Sequence, residues 1–466
     1  MQRNNNKTKS KNIPVAVEFT SKNLTSWGGI ASIISHYLEK LNFEKWVTDN
    51  IPIEDTSNNS VSKYSKVLSL FITVLSGGRR FSHSSLWWHG EEVFRCCFGI
   101  AKFTKAPSSD TRFWNKVNSF SLSDNIVSKA RKLSLEILKW ENVKADDLRF
   151  DSSVITRYGN QEGAVKGYNP KKRGRNSHNP MIGFLGCGYV INLWNRIGNA
   201  SAGNGIIDFF TQTVNVLGND FKVSKVICDS GFYLINFITY LERNSYSYII
   251  SSPICQLIQR KILEQKNWIK LADGIEITEF RFRHLDKKWK KDRRYIAVRQ
   301  EVHERPNATG KYMSLLFDIP EIKNYRYSVM ITNDEISSPK EIWDRYKPRA
   351  NDENVIKELK YSFGLDSFNL KSFWATEAVM AMISLVFYNL IFYLKKHVIN
   401  KGKKVIPKLS TIRINHFIIP AALGMDSRKT VLRIGIKDIK NRNFITSILK
   451  NIEELTWSLK SNAVET

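Results

Sequence analysis

The sequence predicts an α/β fold: a mixed sheet with helices on both faces, interrupted by an antiparallel β insertion and flanked by helical N- and C-terminal regions. Three observations carry this expectation. From about residue 145, short β-branched runs alternate with amphipathic stretches, the order that builds a sheet covered by helices. Residues 265–335 break that rhythm with alternating runs and turns and no obvious helix. On either side of these regions, apolar residues recur at helical spacing.

Composition narrows the class. The 466 residues include 71 Lys and Arg against 44 Asp and Glu, a net charge of +27, with 42% hydrophobic and 12% aromatic residues. So apolar a chain buries a real core, which excludes wholesale disorder. So basic a chain, of pI about 9.7, points to a polyanionic partner, nucleic acid ahead of anionic lipid. Solubility alone explains the charge less well, because the basic residues cluster. The five cysteines form no C-x-x-C pair, which indicates a reduced, cytoplasmic setting. His83, His89, Cys96 and Cys97 lie close in sequence but match no common zinc module. The polar, basic N-terminus is not followed by an apolar run, so it does not read as a signal peptide.

In chain order, Ile30, Ile33, Ile34, Tyr37, Leu38 and Leu41 form one helical stripe, and Val61, Tyr64, Val67, Leu68, Phe71, Ile72 and Leu75 another. Pro107 to Asp110 offers caps for a short helix carrying Arg112, Trp114 and Lys116, suited either to a DNA groove or to ordinary bundle packing. Strands follow at 148–155, within 181–193, at 222–228 and at 247–251, with helices at 206–217 and 234–241 between them. The insertion predicts strands at 276–282, 295–302, 311–317 and 325–331, and it contains the basic run 281–294. Beyond 340 the chain is helical. Ala378 to Leu394 is apolar enough to raise the membrane question, but Asn389 interrupts it and no second such segment exists. A buried helix is the expectation, and no membrane partner.

The sharpest motif is Tyr346-x2-Arg349-x3-Glu353-x6-Lys360. Pro348 suits the first turn of a helix and Gly364 its end. At 100° per residue the four signature positions share an arc of about 60°. Val355, Ile356, Leu359 and Phe363 form the neighbouring apolar stripe. A carboxylate between Arg and Lys suits a metal–phosphate site, the Glu taking a hard cation and the bases phosphate oxygens. An i,i+4 surface ion pair is the plainer alternative. Asp151 in one strand and Asp229 at the end of another provide further acids, at the sheet edge where α/β sites commonly open. Three such acids are what a pair of Mg²⁺ ions requires for phosphodiester chemistry.

This signature, with the D-S-S-V-I strand at 151–155 and the C-D-S-G-F-Y turn at 228–233, resembles the DDE transposases of bacterial insertion sequences. The resemblance covers about 145–365, with spacings of 229 − 151 = 78 and 353 − 229 = 124. Tyr158-Gly159-x-Gln161-Glu162-Gly163-Ala164-x-Lys166-Gly167-Tyr168-Asn169-Pro170 also resembles one branch of that group.

The resemblance implies a ribonuclease H-like core over 145–262 and 338–370, the latter holding the catalytic Glu helix. A β insertion occupies 263–337, a helical DNA-binding region 1–140, and a helical, dimer-forming region 371–466. It implies cut-and-paste chemistry through a hairpin. Asp151, Asp229 and Glu353 would hold two Mg²⁺ ions, with Mn²⁺ as a substitute, and Tyr346, Arg349 and Lys360 would grip phosphates. Trp289, or failing it Trp268, would stack on a flipped base; a buried core role is the alternative for each. Lys171, Lys172, Arg173 and Arg175 are read as contacts to the DNA backbone, and with them Lys287, Lys288, Lys290, Lys291, Arg293 and Arg294. The expected partners are double-stranded terminal repeats and target DNA, met by a homodimer at the nucleoid. A transposase-derived DNA binder without activity, or a related nuclease, are the other readings.

Overall fold

The structure is a computed structural model that describes residues 18–54, 59–103, 106–169, 172–284, 289–301, 325–403 and 405–459. The chain forms two compact units. One contains Asn50–Ile53 and Thr111–Ile406; the other contains Met1–Asp49, Glu54–Asp110 and Pro407–Thr466.

The larger unit is built on a nine-stranded sheet. Its strands are β1 (Ala145–Ser152), β2 (Met181–Leu185), β3 (Val190–Trp194), β4 (Lys222–Cys228), β5 (Tyr248–Ser251), β6 (Ile269–Ala272), β7 (Ile275–Phe282), β8 (Arg293–Glu301) and β9 (Tyr325–Thr332). They lie in the order β6-β7-β8-β9-β5-β4-β1-β2-β3. Strands β1, β4 and β5 are parallel to one another, and every other pairing is antiparallel. The expected strand at 311–317 lies outside the described residues. The strand-rich region is no separate sheet: β9 pairs with β5 through Met330↔Ser251 and Thr332↔Ile249, so the core sheet simply continues.

Six helices of this unit matter: α1 (Phe120–Trp140), α2 (Ile206–Leu217), α3 (Ile235–Arg243), α4 (Pro339–Tyr346), α5 (Ala350–Tyr361) and α6 (Phe373–Ile399). Side chains alternate between sheet faces. Phe150 of β1 therefore packs on Phe209 and Phe210 of α2, ring centroids 5.6 and 6.0 Å away, while Arg149 points to the opposite face and reaches Asp352 of α5. Helices thus cover both faces. Asp151 shares the Arg149 face, so the register of β1 aims it at α5.

Helix α6 holds the apolar stretch 378–394. By length and composition it could cross a membrane, yet its whole apolar window is buried in protein. Asn389 explains its own presence there. Its Oδ1 accepts from Val190 N at 3.0 Å and its Nδ2 donates to Val190 O at 2.7 Å, so it satisfies β3, at the sheet's edge.

The smaller unit joins both ends of the described chain. The two N-terminal stripes are buried as their spacing predicts except at Val61, which stays partly exposed because Ser62 caps the helix Lys63–Leu75 just after it. Later residues complete the unit: Ala421–Asp426 pairs with Leu24–Thr25, Ile419 O accepts from Gly28 N at 2.7 Å, and Leu41 O accepts from Leu459 N at 2.9 Å. The contacts thus group 407–459 with the N-terminal helices, whereas α1, inside the expected 1–140 region, goes with the sheet. Helical period shows which face is apolar, never which distant segment will cover it. The helix Pro107–Asn115 exposes Arg112, but Trp114 is buried, so it presents no aromatic to a groove.

Candidate active site

Strands β1 and β4 run in parallel with Phe150 opposite Cys228, which sets Asp151 and Asp229, the next residues, side by side at the C-terminal ends of two central strands. Asp229 leaves the strand with extended backbone and caps the turn at 230–232, accepting from Gly231 N at 2.9 Å. Asp151 accepts from Ser152 N at 2.7 Å. Burial, and then the nearby Asp229 charge, push the Asp151 carboxyl up to about 7, while Arg349 and the Ser152 amide pull it back.

Arg349 is the counter-charge. Its Nη2 lies 3.5 Å from Asp229, and Tyr346, Asp151, Asp229 and Asp352 together raise its pKa against the cost of burial. Its Nε is buried with no hydrogen-bond partner, a donor left over for an incoming oxygen. Tyr346 is mostly buried; it stacks beside Trp343 and reaches Ser251 of β5. Lys360 donates to Val154 O at 2.9 Å, just beyond the end of β1.

Glu353 stands apart. It is exposed and pairs with Lys357 at 3.1 Å. The acid that faces the pair from α5 is its neighbour Asp352, buried and bonded to Arg149 Nη1 at 2.7 Å. Among the described residues no three His, Cys, Asp or Glu side chains gather closely enough to hold a metal. The signature is also not one straight stripe. Tyr346 ends α4, a tight turn spans Lys347–Arg349, and Glu353 and Lys360 lie on α5. Pro348 breaks the path, having no N–H to donate and a ring that clashes with the preceding turn.

Two carboxylates that repel each other, with only oxygen donors, suit a hard divalent cation, which would relieve the strain on Asp151. Lys360, two turns on from Glu353 and close to it in helical azimuth, already reaches the end of β1, and only an exposed surface ion pair holds Glu353 at Lys357.

The other expected contacts divide. Lys172, Arg173, Arg175, Lys290 and Lys291 are exposed; Lys171, Lys287 and Lys288 lie outside the described residues. Arg293 and Arg294 do not face solvent. Arg293 forms a two-pronged bond with Glu242 at 2.8 and 3.0 Å, and Arg294 binds Glu279 at 2.7 Å and the carbonyls of Asp334 and Ser337. Their charges are spent holding β8 to its neighbours. Trp289 is 4% exposed, enclosed by Tyr233, His284 and Arg293. Trp268 carries the Arg299 guanidinium over its ring at 4.2 Å. Trp289 thus offers no open face, and Trp268, partly exposed, has Arg299 across one of its faces. Arg149 and Asp352 went unnoticed in the sequence, although the alternation Leu148-Arg149-Phe150-Asp151 already puts a charge on the Asp151 face.

The chain belongs to the family described as transposase DDE domain group 1, whose model matches residues 7–457; it is a DDE transposase. No curated protein matches it significantly. Among solved structures it is similar to the piggyBac transposase synaptic complex with hairpin DNA, determined by cryo-electron microscopy. The TM-score is 0.43 and the identity 11%, over 92% of this chain and 81% of that one.

Proposed function

We propose that this protein carries out divalent-metal-dependent, cut-and-paste transposition of a bacterial insertion sequence on a ribonuclease H-like core. The observation that carries the reading is the juxtaposition of Asp151 and Asp229 at the ends of parallel strands, with the unsatisfied Arg349 donor beside them. The antiparallel run β3-β2-β1 followed by parallel β4 and β5 supports the core assignment.

In the reaction, water oxygen bonds to the phosphorus at the element's end, the bond to the 3′ oxygen breaks, and that oxygen leaves as a hydroxyl. The freed hydroxyl then attacks the opposite strand to form a hairpin, which is reopened and joined to target DNA. Asp151 and Asp229 would hold the Mg²⁺ ions, or Mn²⁺ in their stead, with Glu353 completing the set once it leaves Lys357. Bound there, such ions activate the attacking oxygen and stabilise the leaving one. Arg349 binds a non-bridging oxygen through its free Nε–H, Tyr346 backs the guanidinium, and Lys360 fixes the end of β1. Joining two ends takes two active sites, hence a homodimer on paired ends, acting in the cytoplasm at the nucleoid.

The test is Asp229→Asn. Strand cleavage of terminal-repeat DNA falls to background while gel-shift affinity is retained. Unchanged cleavage refutes the assignment. The outward Glu353 favours one rival, a DNA binder with a retired site, which predicts no nicking by the wild type with either metal.

A further inference from the structure

The segment 158–169 takes no part in the chemistry above, yet it is a built object. It forms a small three-stranded sheet with its surroundings: Ile155–Thr156 pairs with Asn176–His178, which pairs with Val165–Lys166. Its inward residues are anchored. Glu162 N donates to Lys371 O at 3.0 Å, and Glu162 Oε2 accepts from Phe373 N at 2.9 Å. Gly163 has φ +75° and lies against Phe373, where a Cβ would sit 2.5 Å from the ring. Gly167 is pressed on the backbone of Gly198, leaving no room for a side chain. Asn169 is buried, donating to Thr156 Oγ1 at 2.9 Å and accepting from Lys172 N at 3.0 Å.

Held between these anchors, two aromatic rings point outward. Tyr168, flanked by Gly167 and Asn169, is 81% exposed, and Tyr158 is 66% exposed. Lys172 contacts the Tyr158 hydroxyl, its Nζ 4.8 Å from the ring centroid and therefore at the ring's edge rather than over its face. Lys166, Arg173 and Arg175, near them in sequence, are exposed, and the segment's acid, Glu162, has an oxygen committed inward. Large rings on a fixed loop, interleaved with cations, match the way proteins hold unpaired nucleic acid: bases stack on the rings while the cations track the phosphates. A duplex offers such rings no base face. The loop also leaves the sheet where β1 ends, immediately past Asp151, with Lys360 bonded to Val154 at its root.

We infer that Tyr158 and Tyr168 form a stacking platform for unpaired DNA beside the cleavage site, a role that the burial of Trp289 leaves open. The inference rests on the reading that the chain acts on DNA. Unpaired strand arises at a cut end or a bent hairpin; the platform would hold it next to the acid pair.

The experiment measures binding of the full-length Asp229→Asn protein to a blunt duplex and to the same duplex bearing an oligothymidine 3′ tail. A 2-aminopurine probe is placed in the tail. The tailed duplex binds at least about 5-fold more tightly and its fluorescence is quenched. Tyr158→Ala/Tyr168→Ala removes the preference and the quenching but leaves blunt-duplex affinity within about 2-fold, whereas Tyr168→Trp retains both. Equal binding of the two DNAs, or quenching that survives in the double variant, overturns the inference while leaving the transposase reading intact. No binding to either DNA overturns both.

Discussion

Asp352 accepts a 2.7 Å hydrogen bond from Arg149 Nη1, and both side chains are buried, although 203 residues separate them. The pair fastens the first turn of α5 to the strand that carries Asp151. Removing one partner leaves the other charge buried and unmatched. Asp352→Ala is therefore expected to cost about 3–5 kcal/mol in denaturant unfolding, and Asp352→Asn distinctly less. An unchanged unfolding midpoint for the Ala variant would show that the pair does not hold the helix.

Glu353 and Lys357 should separate functionally. An exposed i,i+4 pair stabilises by only about 0.3–0.5 kcal/mol, too little to restrain Glu353. Lys357→Ala should leave metal-dependent cleavage within about 2-fold of wild type. Glu353→Gln should abolish it at equal DNA affinity. A fully active Glu353→Gln enzyme would instead put Asp352 forward as the third acid.

Trp289 and Tyr168 should behave oppositely. Truncating the enclosed Trp289 opens a cavity among Tyr233, His284 and Arg293, and Trp289→Ala is expected to destabilise by about 3–5 kcal/mol. Tyr168→Ala should alter stability by no more than about 0.5 kcal/mol. Thermal unfolding of the two variants side by side decides the matter.

His178 gives a pH dependence. Its Nδ1 faces the Arg157 Nε donor at 3.2 Å, so it accepts; Nε2 then carries the proton and donates to Glu162 O at 2.9 Å. Burial, and then Arg157, hold the ring neutral, its pKa lowered from 6.5 to about 4. Between those values the unfolded chain binds a proton that the folded chain refuses, so stability rises with pH across this window and is lost on acidification through it. The melting temperature should fall less steeply from pH 6.5 to 4 in His178→Gln than in wild type; parallel curves would remove His178 as the cause.

Much of this was legible from local pattern. Asp151 within one hydrophobic strand and Asp229 at the end of another stood out as acids, and all but Val61 of the N-terminal helical stripes is buried where the spacing put it. What stayed hidden depends on distant partners. The run Arg281–Arg294 looks like one basic surface until Glu242 and Glu279 arrive from other elements and bury Arg293 and Arg294. The Y-R-E-K spacing reads as one stripe because spacing assumes an unbroken helix, which Pro348 denies. Nor does any period in β9 tell that it joins β5.

The smaller unit has a consequence for how the protein comes into being. Its N-terminal helices are translated hundreds of residues before the strand Ala421–Asp426 and the helix Ile439–Glu453 that close around them. During synthesis those helices wait with apolar flanks uncovered, and a nascent chain halted before residue 407 never shields them. A chain truncated before residue 407 is therefore expected to be cleaved faster than the full-length protein in limited proteolysis, at the apolar flanks those later residues would have covered.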